Sequence, residues 1–99
     1  MNEVDSIAQL PGLGLKSEQW LAEVGIVNVA QLKQKGAVRA YLMLEQGCST
    51  KPSLNFFYAM VGALEGRRWQ DVAREDKARL LVELESYREM DKLFNSAQK

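Results

Sequence analysis

Apolar residues along this chain recur at helical spacing almost throughout, and no stretch sustains strict apolar/polar alternation. Asn-Gly and Asp-Gly hairpin signals are absent as well, so the pattern predicts an all-α chain. A short helix is expected over about Ser6 to Leu10, with Asp5 or Ser6 as its cap. A second runs from about Leu15 to Val24, placing Trp20, Leu21 and Val24 on one face, with Gly25 as its left-handed stop. Asn28 is a fitting N-cap for a third helix, Val29 to Lys35, which ends at Gly36. A fourth spans about Ala37 to Gln46 and offers Val38, Tyr41, Leu42 and Leu44 for burial. Gly47 ends it, and Cys48 to Pro52 form a loop.

Ser53 then caps a helix that carries Leu54, Phe56, Phe57, Tyr58, Met60, Val61 and Leu64 before Gly66. Being apolar nearly all round, it is expected at the centre of the core. Gly62 in its middle costs about 1 kcal/mol relative to Ala, which points to close approach by another helix. Trp69-Gln70-Asp71-Val72 reads as a turn with Asp71 as a cap. The last helix, about Ala73 to Phe94, carries Leu80, Leu84, Tyr87 and Phe94 on one stripe, with Leu81 and Met90 on its shoulders. Glu75 and Arg79 are spaced for an i,i+4 ion pair, and Asn95 to Lys99 are expected to fray. The fold expected is a compact bundle of five to six helices, a single domain over residues 1–99, with a helix-hairpin-helix-like element at 6–25, a basic middle at 29–68 and a long last helix at 73–94.

The turn between the first two helices is the most informative stretch, Leu10-Pro11-Gly12-Leu13-Gly14-Leu15-Lys16-Ser17. Pro11 presets one φ, and Gly12 and Gly14 are read as supplying angles that a Cβ would forbid. Amides at the start of the following helix face outward, where the dipole favours an anion. A helix-hairpin-helix offers that position to a nucleic-acid phosphate. Gly12, Leu13, Gly14, Lys16 and Ser17 are therefore the candidate nucleic-acid contacts, Lys16 and Ser17 as side-chain donors. A plain helical corner, its glycines serving packing alone, stays open beside that reading. Glu18 on the same turn counts against a phosphate there, because a carboxylate at a helix N-terminus satisfies the amides and repels another anion.

Charge sharpens this. Lys plus Arg equal Asp plus Glu at 13 each over 99 residues, less basic than a dedicated DNA-binding domain. Residues 1–28 hold Lys16 against Glu3, Asp5, Glu18 and Glu23, whereas residues 29–68 hold six bases against two acids. The hairpin thus lies in the acidic part of the chain. The candidate basic patch is Lys33, Lys35 and Arg39 around the turn at Gly36, together with Arg67 and Arg68. These last two also fit the negative end of the preceding helix.

Catalytic signatures are missing. The chain has no histidine, removing the usual general base near neutral pH and the commonest zinc ligand. Its one cysteine, Cys48, forms neither an internal disulfide nor a cysteine-based zinc site, and Gly47, Ser49 and Thr50 supply it no activating base. It is read as a thiol in a loop or at the edge of the core. No cofactor and no metal are expected, and the chain is read as not an enzyme. No apolar run approaches a membrane span, and the lone cysteine suits a reducing compartment, so a cytoplasmic location is expected. Phe56-Phe57-Tyr58, Trp20 and Trp69 are read as packing residues.

Several blocks together carry a resemblance: Leu10 to Ser17, Trp20-Leu21-Ala22-Glu23-Val24-Gly25-Ile26, Gly36-Ala37-Val38-Arg39-Ala40-Tyr41-Leu42, Ser53 to Met60, and Gly62-Ala63-Leu64-Glu65-Gly66 followed by Trp69. Over roughly residues 8 to 84 the chain resembles the C-terminal domain of the TfoX (Sxy) family. The resemblance implies an all-α fold with a helix-hairpin-helix-like element. It also implies a bacterial role in regulating natural competence, promoting expression of DNA-uptake genes together with the cyclic-AMP receptor protein. Family members commonly carry a further N-terminal domain, so the chain is read as a stand-alone relative or as half of a longer regulator.

Three functional readings follow. The first is a regulatory domain of this type, contacting the transcription machinery or the cyclic-AMP receptor protein, with DNA contact weak or shared. The second is an autonomous helix-hairpin-helix module binding DNA without sequence preference. The third is a protein-binding module, or a homodimer formed through Trp69 to Phe94.

Overall fold

The computed structural model describes residues 6–48 and 51–97, with side chains through Leu93. A single 3-10 turn, Ile7–Gln9, precedes six helices: α1 (Leu15–Glu23), α2 (Val29–Lys35), α3 (Ala37–Gly47), α4 (Leu54–Glu65), α5 (Trp69–Glu75) and α6 (Lys77–Ala97). The described residues contain no strand, so the chain is all-α.

Local chemistry explains most boundaries. Helix α1 ends in a Schellman motif: the Gly25 N–H donates to the Ala22 carbonyl (3.0 Å) and the Ile26 N–H to the Leu21 carbonyl (2.9 Å). Ile26 and Leu21 are both buried, which supplies the apolar contact that accompanies this motif. At α2 the Asn28 Oδ1 accepts from the Gln31 N–H (2.8 Å), and Gln31 Oε1 accepts from the Val27 N–H (2.8 Å). This is a close variant of the reciprocal capping box. Ser53 Oγ caps α4 through the Phe56 N–H (3.2 Å).

Seven consecutive residues of α4, Phe56 to Gly62, are buried, as expected of the central helix. Phe57 and Met60 share one core cluster with Ile7, Leu21, Leu32, Leu44, Val72 and Leu84, all nearly fully enclosed. Gly62 is required by close approach, though not by another helix as expected. A Cβ there would run into the Arg67 carbonyl oxygen and press on the Trp69 backbone nitrogen. The chain leaving α4 folds straight back over it to start α5.

Several expectations are corrected. The first predicted helix is one 3-10 turn, and Ser6 makes no side-chain cap bond to it; Asp5 lies outside the described residues. Trp69 to Val72 are helical rather than a turn, and Asp71 pairs with Arg74 (2.8 Å) instead of capping. The chain breaks at Asp76, so the last helix begins at Lys77, not Ala73. That break separates Glu75 from Arg79. Glu75 turns to Arg67 (2.8 Å), and Arg79 takes Asp76 (2.9 Å) and Glu83 (3.1 Å).

Leu80 and Leu84 are buried in the core, Tyr87 and Leu81 pack partly against it, and Met90 is exposed. Helix α6 continues through Ala97, beyond the expected end at Phe94. The Phe94 side chain and residues 98–99 lie outside the described set. Leu84, 1% exposed, belongs to this chain's own core, while Val82, Met90 and Leu93 stand exposed along α6.

Candidate nucleic-acid and partner interface

The hairpin is anchored by Leu13, whose side chain is buried and whose N–H donates to the Leu10 carbonyl (3.1 Å). Its two glycines differ. Gly12 has φ +87°, a left-handed value that favours glycine, and a Cβ there would only touch Ala59 at 4.0 Å. Gly14 has φ −142° and ψ −163°, extended backbone open to any residue, with no neighbour where a Cβ would sit. The expectation that both glycines supply forbidden angles therefore holds for Gly12 alone. Gly14 occupies the N-cap position of α1 without a side-chain cap bond.

Of the two side-chain donors expected beside those amides, Lys16 is exposed and Ser17 is buried at 8% exposure. Ser17 is turned into the protein and is no hydroxyl for a phosphate. Glu18 also departs from expectation. Its Oε2 accepts from Ser6 Oγ (2.7 Å) and the Ala8 N–H (3.2 Å), so it caps the preceding 3-10 turn rather than its own helix. The Ser6 hydroxyl, followed by the Ala8 amide, holds this carboxyl below the usual carboxylate range. The carboxylate ties the two arms of the hairpin together and leaves the α1 amides uncapped.

The five cations expected as a patch do not share one surface. Arg67 is chelated: its guanidinium reaches Asp76 (2.7 Å), Glu75 (2.8 Å) and Glu65 (3.0 Å). Those carboxylates, Asp76 foremost, raise its pKa well above the ordinary arginine value. Arg67 thus clasps the α4–α5–α6 junction and is committed to the fold. Arg68 is exposed and lines, with Pro11, Gly12, Trp69 and Gln70, a depression of about 180 Å³ beside the hairpin. Its partner in space is thus the hairpin.

Lys35 and Arg39 do come together, across the turn at Gly36 as expected. They border an open groove of about 520 Å³ whose other walls include Gly25, Ile26, Gln31, Gln34 and Met43. Lys33 is exposed on α2 but does not line it. The Arg39 guanidinium lies 5.4 Å from the centre of the Tyr87 ring, a cation–π distance. Among the described residues none of Lys16, Lys33, Lys35, Arg39 and Arg68 has a carboxylate at ion-pair distance, while Arg67, Arg74, Arg79 and Arg88 all do.

The sequence reading missed Gln31, Gln34 and Met43 as groove walls and Arg68 as a neighbour of Gly12. The helical spacing of Gln31, Gln34 and Lys35 carried the first signal. The second depends on how the α4–α5 turn folds back, which no local pattern reports. Of the aromatic residues read as packing, Trp20 stacks edge-on against Phe56 (5.4 Å), and Trp69 is 36% exposed. Cys48 is half-buried against the core.

The described residues contain no helix long and apolar enough to cross a membrane. They also contain no group of three His, Cys, Asp or Glu side chains placed to hold a metal ion. Glu65, Glu75 and Asp76 converge instead on the Arg67 guanidinium.

Comparison with known proteins adds the lineage. The chain is similar to the DNA transformation protein TfoX of Haemophilus influenzae, 34% identical over 84 residues, which cover 85% of this chain and 38% of that protein. The chain therefore spans well under half of that relative's length. No solved structure matches it. The family model of the TfoX C-terminal domain matches residues 3–84, a span that closes on Leu84, the last buried core residue among those described. This chain belongs to the TfoX C-terminal domain family.

Proposed function

We propose that this chain is a non-enzymatic regulatory domain for natural competence, acting in the bacterial cytoplasm by contact with a transcription complex on DNA-uptake genes. The carrying observation is the family match, which takes in every buried core residue from Ile7 to Leu84. The cyclic-AMP receptor protein is the partner to test. DNA contact in this reading is auxiliary. The hairpin offers Gly12, the uncapped amides of α1, Lys16 and Arg68, too few cations to hold a duplex unaided.

The test is an electrophoretic or anisotropy assay on a DNA-uptake promoter, with the cyclic-AMP receptor protein and cyclic AMP present. Addition of this chain is expected to change the affinity or mobility of that complex while binding the promoter weakly alone. A receptor–promoter complex indifferent to the chain at every concentration contradicts the proposal.

A second reading, autonomous DNA binding without sequence preference, draws on one observation: Arg68 and Trp69 flank the Pro11–Gly12 hairpin. It requires that Lys16→Ala lower the salt slope of binding by about one.

A further inference from the structure

Lys35, Arg39 and Met43 border two adjoining depressions. One is the groove over Gly25 and Ile26; the other, of about 230 Å³, runs between α3 and α6 past Tyr87 to Met90 and Asp91. Together they form one trough across the α2–α3 turn. Its middle carries Lys35 and Arg39, neither with a carboxylate at ion-pair distance, whereas the arginines of α5 and α6 are consumed by ion pairs. Each end offers an apolar side chain: Val24 beside Ile26 at one, and Met90, 58% exposed, next to Asp91 at the other. Gln31 and Gln34 add neutral hydrogen-bonding groups along one wall.

We infer that this trough is a docking surface for an acidic segment of a partner protein, carrying carboxylates in its middle and apolar residues at both ends. The inference deepens the regulatory reading and rests on it. Charge complementarity selects the occupant. Unpaired cations in a half-apolar concave wall match carboxylates flanked by anchors, with the apolar ends supplying the buried area. A duplex fits poorly, because its uniform phosphate ladder would set charge against Met43 and Met90, where a peptide can place apolar side chains and keep its carboxylates at Lys35 and Arg39 away from Asp91.

The test titrates a fluorescein-labelled synthetic peptide, Asp and Glu in the middle and Leu and Phe at both ends, into the full chain. Saturable binding is expected, and Lys35→Glu combined with Arg39→Glu should weaken it about tenfold or more. Because Arg39 also rests on Tyr87, Gln34→Glu is the second variant. It places a negative charge on an exposed wall position without removing any contact, and it should weaken binding in the same direction. Lys16→Glu, at the hairpin, should leave peptide binding unchanged.

Absence of saturable binding, equal binding by the charge-reversed variants, or displacement of the peptide by duplex DNA overturns the inference. So does a concentration-dependent dimer abolished by the same variants, which would make a second copy the occupant. If the peptide fails while the chain still alters the receptor–promoter complex, the trough falls and the regulatory reading stands. If both fail, the reading falls with it.

Discussion

A methyl group on Gly12 would have to adopt φ +87°, a region that costs a non-glycine residue about 1–2 kcal/mol, whereas Gly14 sits at φ −142° with open space around it. Gly12→Ala should therefore destabilise the chain by that amount in urea unfolding. Gly14→Ser should stabilise it by about 0.5 kcal/mol, by capping α1 and restricting the unfolded chain. Gly14→Asp has a further use. Its carboxylate would occupy the uncapped α1 amides, so any duplex binding through the hairpin should fall while the fold is kept. Tyr58 is a different single-residue case: its hydroxyl is buried and finds no hydrogen-bond partner. Tyr58→Phe removes a polar atom that burial has stripped of water, and the expected result is unchanged stability or a gain of up to about 1 kcal/mol.

Among the elements, α5 and the break at Asp76 were the least legible in the sequence. Residues 69–94 show nearly continuous helical spacing, and nothing local marks Asp76 as a boundary. Its side chain is held from both sides of the break. Arg67 and Arg79 both converge on the Asp76 carboxylate, at 2.7 and 2.9 Å. These arginines, Arg67 first, hold the Asp76 carboxyl below its ordinary value. Its contribution to stability is therefore present above the unfolded value of about 3.9 and is lost as pH falls through the lower folded value. Asp76→Asn should lower the melting temperature at pH 7, and the gap to the parent chain should narrow as the pH is taken below that window. A gap independent of pH would contradict the clasp. Where the cue was local, the sequence was readable: Asn28 and Ser53 cap as their positions predict, and α4 is central because its apolar residues run all round. Gly62 was legible as a point of close approach, although only the folded chain shows that the neighbour is the Arg67 carbonyl. Ser17 and Glu18 were misread because sequence places them on the first turn of α1 without saying which way they face.

Across the whole molecule, charge is sorted. The α4–α6 side spends its arginines on internal carboxylates, and the Glu45–Arg88 pair (2.7 Å) ties α3 to α6. Uncommitted cations stand at the hairpin (Lys16, Arg68) and at the α2–α3 turn (Lys33, Lys35, Arg39), with Lys51 before α4 and Lys77 at the start of α6 also without an ion pair among the described residues. Both groups are small, and the chain as a whole carries no net charge. The core itself should behave as one cooperative unit. Leu84→Ala, from the last core position of the family match, should cost about 2–5 kcal/mol and shift α4 and α6 signals together. The contacts proposed for partners fall on two separate cationic edges, neither dense enough to grip DNA alone.

Duplex titration of the isolated chain over a range of salt tests that claim most directly. Two hairpin cations predict weak binding with a log–log slope of about −2, vanishing as salt approaches physiological ionic strength. Nanomolar binding that persists there, or a slope several times steeper, would contradict it.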